Sequence, residues 1–297
     1  MIDPLTEVIA LLRPRTVYSK GISGAGAWAV RYAHFDQPSF CVVLEGQCKL
    51  ALEGKAAVRL NAGDFVFLPS TPGFTLSGFQ PAKPVDVEPK TAASPRGEVR
   101  HGRKGGKPDV RLLGGYFVFE SPDTDLLASL LPPLVHVQGL PRLSTVVRWL
   151  DEEARNQKAG RELLLVRLVE VMLIEALRAT PDVGTEPGLL RGLADARLAA
   201  SIRQIHASPA RAWTMADLAA KASLSRSAFF ERFVRAVGMP PMEYLAAWRI
   251  ALAKDLLRRE DLGLEQIAER VGYSSASAFS TAFRRQVGQS PGRFARA

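Results

Sequence analysis

The N-terminal part of the chain is a series of short apolar segments separated by turn-forming residues. Segments such as FCVVLEG, CKLALEG, AAVRLNAGDFVFLPS and VRLLGGYFVFE have the length and the β-branched and aromatic content of strands. Gly and Asn in Glu53-Gly54 and in Asn61-Ala62-Gly63-Asp64 tolerate the positive φ of tight turns. Strands this short and evenly spaced predict an antiparallel β-barrel or sandwich over residues 1–132, interrupted by a Pro- and Lys-rich loop at about 80–108.

The hydrophobic period becomes helical after residue 132. It predicts helices from Leu143 to Asn156 and from Arg161 to Ala179, and the second of these is apolar nearly all round. Such a helix must be buried on more than one side. We expect the barrel to cover one side and a second subunit the other, so that residues 133–180 form a dimerisation segment. Packing within one domain is the alternative.

One short pattern occurs twice in the last part of the chain, with the copies 50 positions apart. The two copies are Ser225, Phe229, Phe233, Gly238, Pro241 and Tyr244, and Ser275, Phe279, Phe283, Gly288, Pro291 and Phe294. Each copy follows an apolar-Ala pair and a small residue four positions later, Ser223 or Gly272. This spacing predicts two helix-turn-helix units, in which the Phe pair at i and i+4 anchors the second helix to its own core. A Gly- and Pro-rich linker at 181–192 would precede this all-α domain at 193–297, which makes the fold class α+β.

Charge separates the two parts of the chain. Residues 1–189 hold 22 Lys and Arg against 21 Asp and Glu, whereas residues 190–297 hold 17 against 9. Nearly all of the net charge of +9 therefore lies on the repeated segment. A polyanion such as double-stranded promoter DNA is the partner that this favours, and a solvated basic face is the alternative.

The remaining composition narrows the class of protein. No apolar run reaches the roughly 18 residues of a membrane span, and the N-terminus lacks the features of a secretory signal. Cys41 and Cys48 are the only cysteines, so no disulfide framework is expected. We therefore expect a cytoplasmic protein with no membrane partner.

The outward faces of the second helices supply the candidate DNA contacts. The candidates for base contact are Arg226, Ser227, Phe230, Glu231, Ala276, Ser277, Ser280 and Thr281. The candidates for phosphate contact are Ser225, Arg249, Ser275, Arg284 and Arg285. The connecting segment PMEYLAAWRIALAKDLLRR would span about 28 Å as a helix. That length suits adjacent major grooves, which lie about 34 Å apart on one face of DNA.

These residues resemble the DNA-binding region of the AraC/XylS family of bacterial transcription regulators. The segment VGYSSASAFSTAFRRQVGQSPGRFAR carries the family's spacing of aromatic, Ser, Phe, Phe, basic, Gly and Pro positions. The resemblance implies a pair of helix-turn-helix units that reads an asymmetric site, often within a dimeric protein.

Two positions depart from the family's pattern. Ala276 and Thr281 are small where relatives carry larger polar residues, so the second helix is expected to anchor more than it discriminates between bases. Glu231 stands where a basic or amide side chain is usual. It would either accept a hydrogen bond from cytosine or pair with a neighbouring Arg, and we favour the pairing.

The N-terminal part is similar to the cupin-type sensor domain found in one branch of that family, on the strings MIDPLTEVIALLRPR, FCVVLEGQCKL and LNAGDFVFLPSTPGF. Cupin enzymes bind a metal through His and Glu, but Phe40-Cys41 and Phe74 stand here at the expected His positions. We therefore expect neither a metal nor another cofactor, but an organic effector in an apolar pocket. The candidate pocket residues are Trp28, Arg31, Phe40, Val42 and Phe74. A side-chain-filled barrel that binds no ligand is the alternative.

The resulting prediction is a DNA-binding transcription regulator that is not an enzyme. A small effector would alter its affinity for promoter DNA, with RNA polymerase as a further candidate partner. Two alternatives remain open: an effector-independent DNA-binding protein, and a thiol-based redox sensor that uses Cys41 and Cys48. The effector, the target operon and the sign of regulation do not follow from the sequence.

Overall fold

A curled sheet of ten strands dominates the N-terminal part of the chain in the computed structural model, which describes residues 3–35, 37–87, 98–119, 128, 130–155, 158–179, 187–259 and 262–296. The strands are β1 (Pro14–Ala25), β2 (Ala29–Tyr32), β3 (Ser39–Leu52), β4 (Val58–Asn61), β5 (Phe65–Leu68), β6 (Phe74–Ser77), β7 (Val85–Val87), β8 (Val99–Gly102), β9 (Val110–Phe119) and β10 (Val135–Val137). The β3–β9, β9–β1, β3–β5 and β3–β6 ladders are antiparallel, which confirms the predicted cupin-like architecture. The short β7 and β8 add parallel pairings, so the sheet is mixed.

Helices lie before the first strand and after the last strand of the sheet. They are α1 (Pro4–Leu12), α2 (Pro141–Arg155), α3 (Arg161–Arg178), α4 (Leu189–Ala194), α5 (Ala196–Ala207), α6 (Met215–Lys221), α7 (Arg226–Val237), α8 (Pro241–Arg259), α9 (Leu264–Arg270), α10 (Ala276–Val287) and α11 (Pro291–Phe294). No helix in the described part of the chain is both long enough and apolar enough to span a membrane.

The long strand β3 belongs to both halves of the curled sheet. Its first half, Ser39–Val42, pairs with β5, and its second half pairs with β4 and β6. The β3–β9 register shifts between Val43 and Glu45, and Gly46 follows with φ +73°. Such an irregularity bends a strand and increases its twist, which lets one strand serve two sheet halves.

The two faces of this sheet are both apolar. Inside the curl lies a core that includes Val30, Leu50, Leu60, Leu76 and Leu112. On the other face, Phe40, Phe65, Phe67 and Phe117 form a chain of ring contacts with centroids 5.9–6.5 Å apart. Helices α2 and α3 pack against β1 in the same unit. An amphipathic strand would bury one face only, so the continuous apolar run in FCVV reflects burial on both sides.

The chain divides into two compact units whose boundaries differ from those predicted. One unit, called the barrel unit here, comprises Arg13–Phe119 and Pro133–Asp182. The other, called the helical unit, comprises Met1–Leu12, Glu120–Pro132 and Val183–Ala297. Helix α1 thus belongs with the helical unit and not with the barrel, because its apolar face packs on α5.

Two further boundaries are corrected by the structure. The expected helical segment at 133–180 begins with a strand, because β10 pairs with β5. The expected linker at 181–192 is helical from Leu189, a side chain that is fully buried, and its residues 181–186 lie outside the described residues. Asn156 and positions 88–97 of the expected loop are also outside them.

The bend at Gly46 generates a testable prediction. A Cβ at Gly46 would lie 1.8 Å from the carbonyl oxygen of Asp109, whereas a Cβ at Gly54, with a similar φ of +74°, would meet nothing within 4 Å. Gly54→Ala should therefore cost only the left-handed strain of about 1–2 kcal/mol. Gly46→Ala should lower the free energy of unfolding by a further 2 kcal/mol or so, because β3 and β9 must separate. Urea unfolding of both variants measures this, and equal losses would contradict the steric role of Gly46.

Candidate nucleic-acid interface

The first helix-turn-helix unit consists of α6 and α7. Helix α6 begins with a capping box, in which the Thr214 hydroxyl accepts from the Asp217 N–H and the Asp217 carboxylate accepts from the Thr214 N–H. Ser223 adopts φ +53° in the turn, as its predicted small-residue position requires. Ser225 then caps α7 by accepting from Ala228 N–H at 3.3 Å.

The second unit, α9 and α10, repeats this construction. Gly272 supplies the left-handed turn residue with φ +83°, and Ser275 caps α10 by accepting from Ala278 N–H at 3.2 Å. A Cβ at Gly272 would lie 2.6 Å from the carbonyl oxygen of Ala210, so the close packing of the turn also requires a glycine.

The repeated aromatic residues hold both second helices to their cores. Phe229 and Phe233 are fully buried with centroids 5.5 Å apart, and Phe279 and Phe283 repeat the same burial and distance. Each pair continues into a third ring at the next helix, which is Tyr244 in the first unit and Phe294 in the second. The repeated pattern in the sequence is therefore a scaffold pattern, and the candidate contact positions lie on the other side of α7 and α10.

Helix α8 connects the two units and is buried in both cores. Tyr244 and Trp248 belong to the first, and Ile250 and Ala253 pack with the second. The helix has 19 residues, so its length is about 28 Å, as predicted.

The outward faces carry most of the candidate contact residues. Arg226, Ser227, Phe230 and Glu231 are exposed on α7. On α10, five candidates line one shallow depression of about 460 Å³: Ser277, Ser280, Thr281, Arg284 and Arg285. The hydroxyl groups of Ser225 and Ser275 accept as helix caps, and that of Ser225 also lies 3.3 Å from the Ser227 hydroxyl. Ala276 is half-buried, and its N–H donates to Glu265.

The geometry bears on two sequence expectations. Glu231 is exposed and forms no ion pair in the described part of the chain, so its pairing with an Arg stays a prediction. The neighbouring Arg232 pairs instead with Asp195, the N-cap of α5. The guanidinium of Arg249 donates to the carbonyl oxygens of Pro209 and Arg211, both at 2.8 Å. A phosphate could use only its remaining N–H groups, and that role stays a prediction.

A buried polar cluster in this unit was missed by the sequence reasoning. The Nδ1 atom of His206 lies 2.8 Å from the Glu7 carboxylate on α1, and its Nε2 atom lies 2.7 Å from the Tyr244 hydroxyl. A carboxylate only accepts, so Nδ1 carries the proton and Nε2 accepts from Tyr244. The ring also contacts Trp248, with centroids 4.1 Å apart. Burial lowers the pKa of His206 by more than the Glu7 carboxylate raises it. No motif connects residues 7, 206 and 244, so no sequence signal could have identified the cluster.

The candidate effector residues fall into three places in the barrel unit. Phe74 lines a cavity of about 70 Å³ inside the curled sheet, and Phe40 borders it. Trp28 belongs to the inner core, away from that cavity, and Val42 is fully buried. Arg31 points to solvent and pairs with Asp86. The sequence reasoning missed Lys20, Ser39, Cys41 and Tyr116, which also line the cavity.

The residues at the cupin metal positions do not suit a metal. In the described part of the chain, no three His, Cys, Asp or Glu side chains are grouped to hold an ion. His101 stacks on Trp28, His136 lies 3.1 Å from Asp64, and His206 belongs to the other unit.

Both cysteines are poorly suited to thiolate chemistry. Burial raises the pKa of Cys48 to about 12 and raises that of Cys41 further, with the Asp64 carboxylate adding to both shifts. The thiolate is the reactive form, so the raised pKa values disfavour thiolate chemistry at both cysteines.

Comparison with known proteins finds a match for each of the two parts of the sequence. A family model described as Cupin matches residues 3–182, and one described as Helix-turn-helix domain matches residues 218–297. A protein of Streptomyces lividans described as an AraC-like transcription regulator is 37% identical over 98% of this chain and 97% of its own length. A protein of Streptomyces antibioticus with the same description is 38% identical over 98% of both chains. The HTH-type transcriptional regulator AlkR of Acinetobacter baylyi is 29% identical over 90% of both.

The His206 cluster predicts how stability depends on pH. The pKa of His206 is lower in the folded protein than its ordinary value of 6.5 in the unfolded chain. Around and below pH 6.5 the unfolded chain therefore binds more protons than the folded protein does. Acidification from about pH 7.5 to about 5.5 should then destabilise the helical unit, by at most about 1.4 kcal/mol per pH unit for one His. Urea unfolding followed by tryptophan fluorescence measures the slope.

Two variants isolate the contribution of His206. His206→Gln removes the titrating group and should flatten the slope. Glu7→Gln keeps the hydrogen-bond acceptor and the His, so it should keep the slope. The same slope in wild type and His206→Gln would show that this residue does not set the pH dependence.

Proposed function

The chain belongs to the AraC-like family of DNA-binding transcription regulators, and we propose that it reads an asymmetric promoter site with both helix-turn-helix units under the control of a small organic effector. The observation that carries the DNA-reading part is the rigid duplication. Two capped helices, α7 and α10, expose one face each and share the buried helix α8. The connecting helix α8 is about 28 Å long, a length compatible with placing α7 and α10 in adjacent major grooves.

The two units have different tasks in this proposal. Helix α7 presents Arg226, and an Arg can donate two hydrogen bonds to guanine. Helix α10 presents Ser277, Ser280 and Thr281 beside Arg284 and Arg285, a combination of short hydroxyls and cations that suits phosphate contact. The first helix-turn-helix unit therefore discriminates between bases, and the second anchors the protein to the DNA backbone. RNA polymerase is a further partner in this scheme, as regulators that act at promoters contact it.

Effector binding is assigned to the barrel unit. Support comes from the apolar cavity inside the curled sheet, because a pocket with few polar groups is the usual form of a small-molecule site. Occupancy of this cavity would change the affinity for DNA. The effector-independent alternative predicts that no small molecule changes DNA affinity. The thiol alternative is disfavoured by the raised pKa of both thiols, of which Cys48 is fully buried and Cys41 is half-buried.

A homodimer is the proposed oligomeric state. Large apolar side chains are exposed on the helices of the barrel unit: Trp149 on α2, and Leu163, Leu164 and Val171 on α3. Leu164 and Val171 are seven residues apart and share a helix face. Exposed apolar residues concentrated on one pair of helices are typical of a subunit interface. No catalytic role is proposed.

The proposed division of labour predicts different effects of two substitutions. Arg226→Ala should reduce the ratio of specific to nonspecific affinity about tenfold or more, because a bidentate contact contributes about 1–3 kcal/mol of discrimination. Thr281→Ala should reduce that ratio less. Fluorescence anisotropy with the upstream promoter duplex and a scrambled duplex, each over a salt titration, measures both.

Arg235→Ala is the matched control, since Arg235 is exposed at the opposite end of α7. It should leave the ratio unchanged. A Thr281 effect equal to or larger than the Arg226 effect would reverse the assignment. Salt-independent binding of the wild type would contradict the DNA interface itself.

The proposed dimer interface predicts that charged substitutions in it lower the molecular mass of the protein in solution. Leu164→Glu with Val171→Glu should convert the protein to a monomer, because two carboxylates would have to be buried at the interface. Light scattering after size-exclusion chromatography measures the mass. Val85→Glu, at an apolar residue that is 64% exposed on β7, is the control and should stay dimeric. A monomeric wild type would refute the proposal.

A further inference from the structure

Three strands place their side chains in one row on the inner face of the curled sheet. Lys20 on β1 pairs with Gly114 on β9, and Gly114 pairs with Cys41 on β3. Directly paired residues of antiparallel strands point to the same face. Lys20 and Cys41 therefore flank a position that has no side chain, and all three line the cavity.

The missing side chain is what opens this space. A Cβ at Gly114 would lie 3.4 Å from Cδ1 of Ile22 and 3.8 Å from Cβ of Cys41, which shows that the gap can accept atoms. A glycine inside a strand often marks the approach of a ligand. Aromatic rings form other walls, with Tyr32 and Phe74 stacked 4.7 Å apart and Tyr116 near Phe35.

Lys20 is the one cation among the described residues that line this cavity, and no carboxylate lines it. In the described part of the chain Lys20 has no ion pair or hydrogen bond, and its Nζ atom lies 5.8 Å from the centre of the Tyr32 ring. Burial lowers the pKa of Lys20, which reflects the cost of keeping an ammonium away from water. A cation in an apolar pocket is stabilised most by an anion placed against it.

We propose, building on the effector role of the barrel, that the cavity binds a compact apolar organic acid whose carboxylate pairs with Lys20. The hydrocarbon part of this monocarboxylate lies over Gly114, against Tyr32, Phe74 and Tyr116. A phosphate carries up to two negative charges, and the cavity offers one cation beside the hydroxyl groups of Tyr32, Ser39 and Tyr116. A sugar would need hydrogen-bonding groups around its ring, and the walls are mostly apolar. The volume of about 70 Å³ selects small ligands over long chains.

The test compares acids with uncharged amides of the same shape on the full-length protein. Propionate and isobutyrate are titrated against propionamide and isobutyramide by calorimetry, with the shift in melting temperature as a second readout. The acids should bind wild type at least tenfold more tightly than the amides. Lys20→Met keeps the length of the side chain and removes the charge, so the preference for acids should disappear.

Two further variants keep the test interpretable. Lys83→Met removes an exposed lysine outside the cavity and should behave as wild type. Gly114→Val fills the gap and keeps Lys20, so it should weaken both acid and amide. Melting temperatures of the unliganded variants establish that each is folded.

The outcomes separate this inference from the broader proposal. Equal affinity for acid and amide, an acid preference that survives in Lys20→Met, or the absence of any acid binding would each overturn the assignment to an organic acid. A panel of neutral compounds is assayed in parallel, with promoter affinity as readout. If a neutral compound binds and changes that affinity, the effector role stands and only its acid chemistry is refuted. If neither acids nor neutral compounds do so, the effector role fails as well.

Discussion

The burial of helix α8 in two cores at once is the constraint on which the DNA-binding part of this protein depends. Trp248 and Ile250 are close neighbours on the helix, and each is about 2% exposed, but they belong to different helix-turn-helix units. A rotation of one unit relative to the other would expose one of these side chains. The cost of exposing a large apolar side chain is about 1.5–3 kcal/mol. The two reading helices therefore hold a set spacing and angle without a bound partner, and less conformational entropy is lost when they meet DNA.

Helix α1 extends the same core from the other end of the chain. Its carboxylate at Glu7 satisfies a buried imidazole that also accepts from Tyr244 on α8. Without Glu7, the Nδ1 proton of His206 would be left buried without an acceptor, which costs about 1–3 kcal/mol. The first helix of the chain is thus tied to the helix that joins the DNA-reading units. The two compact units of the chain are consequently interleaved in sequence.

In the barrel unit, the alternation of strand side chains assigns the residues to their tasks. Phe40 and Val42 face the aromatic core on one side of β3, and Ser39 and Cys41 face the cavity on the other. The run Phe40-Cys41-Val42-Val43 is apolar throughout, so its pattern predicts a buried strand but not which residue faces which way. A shift of one residue exchanges the faces, which is why the expected pocket set included Val42 and omitted Cys41. Lys20 was omitted because its strand carried no motif.

The sequence by itself determined the structural features that depend on the local spacing of residues. The repeat at an offset of 50 identified both helix-turn-helix units, the small residue in each turn and the length of α8, because helix geometry converts spacing directly into position. The excess of positive charge on residues 190–297 indicated a polyanionic partner. Only the tertiary structure decided the grouping of α1 with the helical unit, the engagement of Arg249 by carbonyl oxygens, and the row of Lys20, Gly114 and Cys41. Each of these joins residues far apart in the chain, and the register between distant strands and helices is set by packing that no local pattern records.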